Sequence, residues 1–351
     1  MIDLDGSHGE GGGSILRQAL ALSMLTGKEF RITNIRKNRP QPGLSAQHLA
    51  ALNAAKELCG AEVTGNYLTS EEVGFKPGPV KGGAHRIDIG TAGSITLLLQ
   101  SLLLPALFSD KRASFNIIGG TDVNWSSSFD YFNYVFLPQM RKYGGIETGI
   151  SRRGYYPKGG GELKVVVNST MTLNNALQPV LLNAQKKLLM IRGVSHASAE
   201  LEPARVAERQ AESAKLLLRR LGAPISIKTE YSRALSIGSG ITLWAIFGEE
   251  EVDPNNPMII GSLALGERNK KSELVGSEAA ESLLRTIESG AAVDSHLADQ
   301  LIPFMALSGG LIKTSDVTAH VMSNIYVTEK FMDVKFTIAG NVISCERQEP
   351  N

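Results

Sequence analysis

Apolar positions along this 351-residue chain follow two alternating rhythms. Some stretches recur every third or fourth residue, as on a helix face; others alternate residue by residue, as on a half-buried strand. Gly13-Ser14-Ile15 opens one apolar helix, and Gly93-Ser94-Ile95 opens another. A second helix follows each, with matching exits at Leu58-Cys59-Gly60 and Lys142-Tyr143-Gly144, where glycine directly after the last periodic residue is a helix stop. Strand-like runs fill the gaps at Phe30–Ile35, His85–Ile89, Ser114–Ile118 and Leu163–Val167. Each stretch reads as strands and two helices in alternation, an internal repeat.

A third unit of this kind is expected near the C-terminus, with helices over Val293–Leu307 and Val317–Phe331 and strands over Val334–Ile338 and Val342–Cys345. Between the second and third units lies a block with its own helix, started by Glu202-Pro203 and stopped by Gly222. Strand-like runs surround that helix at Leu188–Gly193, Ile225–Thr229, Ile241–Phe247 and Met258–Leu265. The expected fold is therefore α/β, with three repeated βαβαββ-like units forming the main domain and a small inserted α/β domain. The expected division is residues 1–183 for the first two units, 184–277 for the insertion and 278–351 for the third unit.

Composition adds limits. An apolar content of 42% with 20% charged residues belongs to an ordinary globular protein, and 36 Lys and Arg against 35 Asp and Glu leave a net charge of +1. Any surface for a polyanion must then be local. Two cysteines, Cys59 and Cys345, form no disulfide framework and have no metal-ligand spacing, which suits a reducing cytoplasm. The first residues, Met1 to Gly6, carry acidic groups and no basic-then-apolar leader, so a signal peptide is not expected. The most apolar segment, Thr91 to Phe108, is broken by Ser94, Gln100, Ser101 and Pro105, and reads as a buried helix, not a membrane span.

Four clusters carry candidate chemistry. Asp5 to Arg17 is a glycine-rich turn entering a helix, where backbone N–H groups and the helix terminus favour an anion; Glu10 offers a carboxylate for a divalent ion and Arg17 a guanidinium for phosphate. It matches neither a Walker A loop nor G-x-G-x-x-G, and a turn serving only backbone geometry remains an alternative. Arg36 to His48 is a basic, proline-stiffened loop containing Arg39, Gln47 and His48, which reads as a phosphate contact or as a solvated basic loop. Arg152 to Glu162 mixes cations, tyrosines and glycines in a way that suits single-stranded RNA, though a tight turn explains the glycines equally. In the fourth cluster, His296, Asp299 and Gln300 share one polar side of a helix, and His320 lies near the start of the next. A neutral imidazole can attack phosphorus and form a phosphoramidate. A histidine on a helix is also commonly structural.

Taken in order, Gly9-Glu10-Gly11-Gly12-Gly13 with Arg17, Arg39 with Pro42-Gly43-Leu44 and Gln47-His48, Gly90 to Gln100, Gly119-Gly120-Thr121-Asp122, Gly154 to Gly161, His296 to Gln300, and His320 resemble the RNA 3'-terminal phosphate cyclase family over essentially the whole chain. The resemblance implies an ATP-dependent ligase. In such an enzyme His320 attacks the α-phosphorus, AMP rides on the imidazole, and AMP then passes to an RNA 3'-phosphate that closes to a 2',3'-cyclic phosphodiester. It also implies an adenylate site at Gln100, His296, Leu297, Ala298, Asp299 and Gln300. Arg17, Arg39, Gln47 and His48 would then line the phosphates, and Glu10 would be a ligand for Mg²⁺ or Mn²⁺. Val123 to Ser128 departs from the family by lacking the prolines usual there. Two rivals share the architecture: a catalytically silent, cyclase-like RNA-binding protein of ribosome assembly, which lacks the histidine, and an enolpyruvyl transferase, which leaves His320 unexplained. A partner RNA is implied, no membrane is, and oligomeric state is not indicated.

Overall fold

The computed structural model describes residues 1–171 and 177–347. Strand β1 (Ile2–Asp5), helix α1 (Ser14–Thr26), β2 (Phe30–Thr33), α2 (Ala46–Cys59), β3 (Glu62–Thr64) and β4 (Val73–Lys76) form the first unit. Its sheet runs β1-β2-β4-β3, with β1 and β2 parallel and the other pairs antiparallel. The second unit is β5 (Gly83–Asp88), α3 (Ile95–Ala106), β6 (Ala113–Gly119), a broken helix, β7 (Gly145–Arg152) and β8 (Gly161–Asn168). The broken helix is α4 (Phe129–Tyr131) and α5 (Leu137–Met140) on either side of a π-helical turn at Phe132–Phe136. The sheet order β5-β6-β8-β7 repeats the same sequence of parallel and antiparallel pairs.

Strand β9 (Val180–Leu182) then leads into the insertion, made of β10 (Lys187–Ser198), α6 (Val206–Leu218), β11 (Ile225–Ser232), β12 (Ser239–Gly248), β13 (Met258–Leu265) and α7 (Ser272–Glu288). Its sheet runs β11-β10-β12-β13, with α6 and α7 packed together against it. Glu202 and Pro203 lie in a 3-10 turn, and α6 starts only after Arg205, whose φ of 50° breaks the helical path. Because α7 is one continuous helix, position 277 falls inside it, and residues as far as Glu288 stay with the inserted sheet.

The last unit follows as α8 (Ser295–Ser308), β14 (Gly310–Lys313), α9 (Ala319–Phe331), β15 (Val334–Ala339) and β16 (Val342–Arg347). Its sheet takes β9 from before the insertion, in the order β15-β16-β14-β9 with β9 parallel to β14. The insertion therefore interrupts this unit between its first strand and its first helix. Read from β9, the order and sense again match the first two sheets.

The apolar faces meet in one core. Helix α1 packs on α2, α3 and α9, and α8 packs on α9, so these helices bury residues such as Ile15, Leu20, Leu98, Leu102, Leu301 and Val327. Burial of this apolar surface is the main stabilising term. Helix α3 lies in this core, with Thr96 and Ser101 buried among its leucines, and none of the described helices is long and apolar enough to cross a membrane.

Candidate active site

A cavity of about 520 Å³ lies where the first turns of α1, α8 and α9 converge, and its wall includes Glu10, Arg17, Arg39, Gln47, His48, Gln100, His296, Asp299, Gln300 and His320. Helix N-termini present unpaired N–H groups and partial positive charge, which favours phosphate. Leu297 and Ala298 are fully buried on the core side of α8 and stand outside that wall, because i+3 and i+4 spacing puts His296, Asp299 and Gln300 on the opposite face.

Helix α8 is held at its first turn by Asp294. One carboxylate oxygen accepts from the N–H groups of His296 and Leu297 at 3.0 Å and from the Tyr131 hydroxyl at 2.6 Å; the other accepts from Gly261 N–H at 2.8 Å. Residues from the second unit and the insertion thus fix the helix that carries three cavity groups. Asn324 of α9 donates to the Asp299 carbonyl at 2.9 Å, and Gln300 donates to the Ser127 hydroxyl at 3.3 Å.

His320 is the second residue of α9, just after Thr318, whose hydroxyl caps the helix by accepting from Val321 N–H. Its Nε2 lies 2.8 Å from one Glu10 oxygen, and Arg39 pairs with the other. Glu10 reaches this point because the glycine loop presses on α9: Gly9 has a φ of 60°, and a Cβ there would meet the Ser323 hydroxyl at 2.8 Å. Burial, helped by the charges of Arg17 and Arg39 and opposed by Glu10, holds the His320 imidazole below its ordinary value.

Deeper in, Arg17 is fully buried and donates from Nε to Gln100 at 3.1 Å. Burial lowers it to about 10, which leaves it charged at neutral pH. Burial also raises the Asp299 carboxyl to about 8, against the pull of Arg17, which favours its neutral form at neutral pH. His48 falls to about 3 through burial and the nearby Arg17 and Arg36; it is a neutral ring, tied to the Ser45 hydroxyl at 2.6 Å. The Gln47 oxygen accepts from Ser94 N–H at 2.7 Å and so joins the basic loop to the start of α3.

A Cβ on Gly13 would fall inside the His48 ring. Gly13→Ala is therefore expected to destabilise the protein by about 1–3 kcal/mol through overpacking. Urea denaturation checks this, and His48→Ala in the same chain should restore much of the loss, a non-additivity expected of two groups in contact.

Sequence reasoning missed several wall residues. Leu263 comes from the insertion, which no local pattern connects to the glycine loop, and Trp125 and Ser127 come from the loop that departs from the family's prolines. Arg36 also lines the cavity and braces its own loop by donating to the Gly43 carbonyl at 2.8 Å.

The Arg152–Glu162 cluster divides. Tyr156 is exposed, whereas Arg153 and Tyr155 are buried between the second unit and the insertion. Arg153 lies 3.1 Å from Asp122, 2.8 Å from Asp130 and 2.6 Å from Glu230, and His196 lies 3.2 Å from Asp122 and 2.8 Å from the Tyr155 hydroxyl. Asp122, Asp130 and His196 are close enough together to share a cation. The Arg153 guanidinium already supplies the positive charge there, so a metal ion does not fit. Glu10 differs in lining the open cavity: Arg39 and His320 hold its two oxygens, and it could serve as the one carboxylate by which Mg²⁺ or Mn²⁺ is commonly held together with phosphates only by exchanging one of those contacts.

A sequence profile described as RNA 3'-terminal phosphate cyclase matches residues 8–338. The chain is 47% identical to an RNA 3'-terminal phosphate cyclase of Archaeoglobus fulgidus, covering 98% of this chain and 99% of that one. It is 47% identical to one of Pyrococcus furiosus, over 97% and 96% of the two chains, and 45% identical to one of Saccharolobus solfataricus, over 97% of each.

Proposed function

The chain belongs to the RNA 3'-terminal phosphate cyclase family, and from that premise we propose that it uses ATP to convert an RNA 3'-terminal phosphate to a 2',3'-cyclic phosphodiester through a covalent adenylate on His320. What carries this reading is the half-exposed imidazole of His320 facing Glu10 in the same cavity as Arg17 and Arg39.

With Nε2 against a carboxylate, the hydrogen of the neutral ring sits on Nε2 in the resting site. Attack through Nε2 requires the ring to leave Glu10 and carry its hydrogen on Nδ1. The Nε2 lone pair then bonds to the α-phosphorus, the α–β bridging P–O bond breaks, and pyrophosphate leaves. An oxygen of the RNA 3'-phosphate next displaces the imidazole from AMP. The 2'-hydroxyl oxygen finally attacks the 3'-phosphorus as its O–H bond breaks, closing the ring and expelling AMP, with the proton passing to the departing AMP phosphate or to solvent. Phosphoryl transfer depends chiefly on positioning and charge neutralisation, which Arg17 and Arg39 supply here. A divalent ion held by Glu10 and the phosphates would add positive charge at the triphosphate.

The pH dependence follows from the two shifted groups. His320 is held below its ordinary value, so its nucleophilic neutral form persists as pH falls through about 6.5. Asp299 loses its proton near 8 and then places a negative charge beside the phosphates. Self-adenylylation should therefore hold its rate at pH 6.5 and decline above pH 8. Asp299→Asn should flatten that alkaline limb, since Arg17, at about 10, is still charged there. Rates of label incorporation from α-labelled ATP between pH 5.5 and 9.5 measure both limbs.

The activity itself is tested with an oligoribonucleotide bearing a 3'-phosphate, ATP and Mg²⁺. Phosphatase resistance of the end after reaction is the expected result; an end that stays phosphatase-sensitive would remove the reading.

A further inference from the structure

Trp125 is the most exposed large apolar side chain among the described residues, at 96%, and it stands in the wall of the cavity that holds His320. Its backbone has a φ of 66°, a region bulky residues seldom enter. The loop around it is nevertheless tied down. Phe129 N–H donates to the Thr121 carbonyl at 3.0 Å, the Ser126 hydroxyl to the Val123 carbonyl at 2.9 Å and the Thr96 hydroxyl to the Ser127 carbonyl at 2.7 Å, while Ser128 bonds to Thr242 of the insertion at 2.7 Å. A fixed backbone thus presents an indole at the edge of a cavity whose cationic groups, Arg36, Arg39 and Arg17, match phosphate and not a base.

We propose that Trp125 is the stacking platform for the terminal nucleobase of the RNA, a role that rests on the cyclase reading of the cavity. The order of events selects RNA over ATP as its ligand. ATP reacts first and its phosphates must reach His320 beside the buried Arg17, whereas the RNA end arrives over a floor already occupied by AMP. The group at the outer edge meets the last ligand to enter. Stacking on an indole accepts any base, as an enzyme acting on a terminal phosphate requires.

The chain holds two tryptophans, and the other, Trp244, is buried and stacked on Tyr134 at 4.5 Å. Both indoles emit, but only Trp125 lies where a ligand in the cavity can reach it, and Trp125→Phe leaves the Trp244 signal as the background. Mixing a 3'-phosphorylated oligoribonucleotide with full-length protein that already carries AMP and has been freed of ATP is expected to quench emission to saturation. Mg²⁺-ATP alone should not, and Trp125→Phe should show no quenching. In initial-rate cyclisation, Trp125→Ala should raise KM for the oligonucleotide about tenfold, well beyond any rise in KM for ATP, and Trp125→Phe should recover most of the affinity. Quenching by ATP alone, equal rises in both KM values, or an unchanged KM for RNA would each overturn the assignment. If the wild-type protein cyclises the end without any quenching, the stacking role falls and the cyclase reading stands. If RNA quenches but no end is cyclised, the cyclase reading fails and the stacking role fails with it.

Discussion

Replacing His320 with alanine is expected to abolish covalent transfer of AMP from ATP to the protein, a loss of at least about 10³-fold, because no other group can take over a bond formed by the nucleophile itself. The fold should survive, since the side chain is 42% exposed and its contact is with Glu10 at the cavity surface. Labelling with α-labelled ATP, followed by acid treatment, measures the effect. The wild-type adduct should be acid-labile, as a phosphoramidate is, and the variant should carry none. ATP should still bind to the variant, because Arg17, Gln100 and Asp299 remain in place. Full labelling of His320→Ala would move the nucleophile elsewhere.

The second large effect is on stability. Arg153→Met removes the one guanidinium among the described residues that pairs with Asp122, Asp130 and Glu230 in the contact between the second unit and the insertion. Asp122 is fully buried, yet His196 and Arg153 outweigh that burial and hold its carboxyl below the usual carboxylate range. Taking away one partner of a buried ionic group leaves charge uncompensated and costs about 3–5 kcal/mol, a large fraction of the roughly 5–15 kcal/mol that stabilises a folded protein. Urea denaturation should show the midpoint falling accordingly. A loss below about 1 kcal/mol would mean that the network is solvated and does not join the insertion to the main body.

The contrast between these two residues shows what a linear sequence reveals. His320 was legible because the cyclase resemblance gave it a role, and the structure puts it with Glu10, to which no local pattern links it. Arg153 and Tyr155 read as part of a cluster suited to RNA, or of a tight turn, because cations, tyrosines and glycines lie together there, but only tertiary packing decides which side chains turn inward, and these two do. The strands β2, β5, β6 and β8 lie where alternation put them, to within a few residues. The three-residue strand β9 was not marked, since so short a segment has no measurable period, and the sheet it completes is divided by the whole insertion. Helix periodicity separated the polar side of α8 from its apolar side, and Leu297 and Ala298 lie on the buried one. The edge of the cavity was least legible: Trp125 and Leu263 reach it from a loop and from another sheet.

The most direct measurement is a single turnover. Protein labelled with AMP, freed of ATP and pyrophosphate, is mixed with a 3'-phosphorylated oligoribonucleotide. The predicted result is one cyclic end and one released AMP for each adduct consumed, with no ATP added. An adduct that persists while cyclic ends appear only after ATP is restored would contradict the role of His320 as the carrier of AMP.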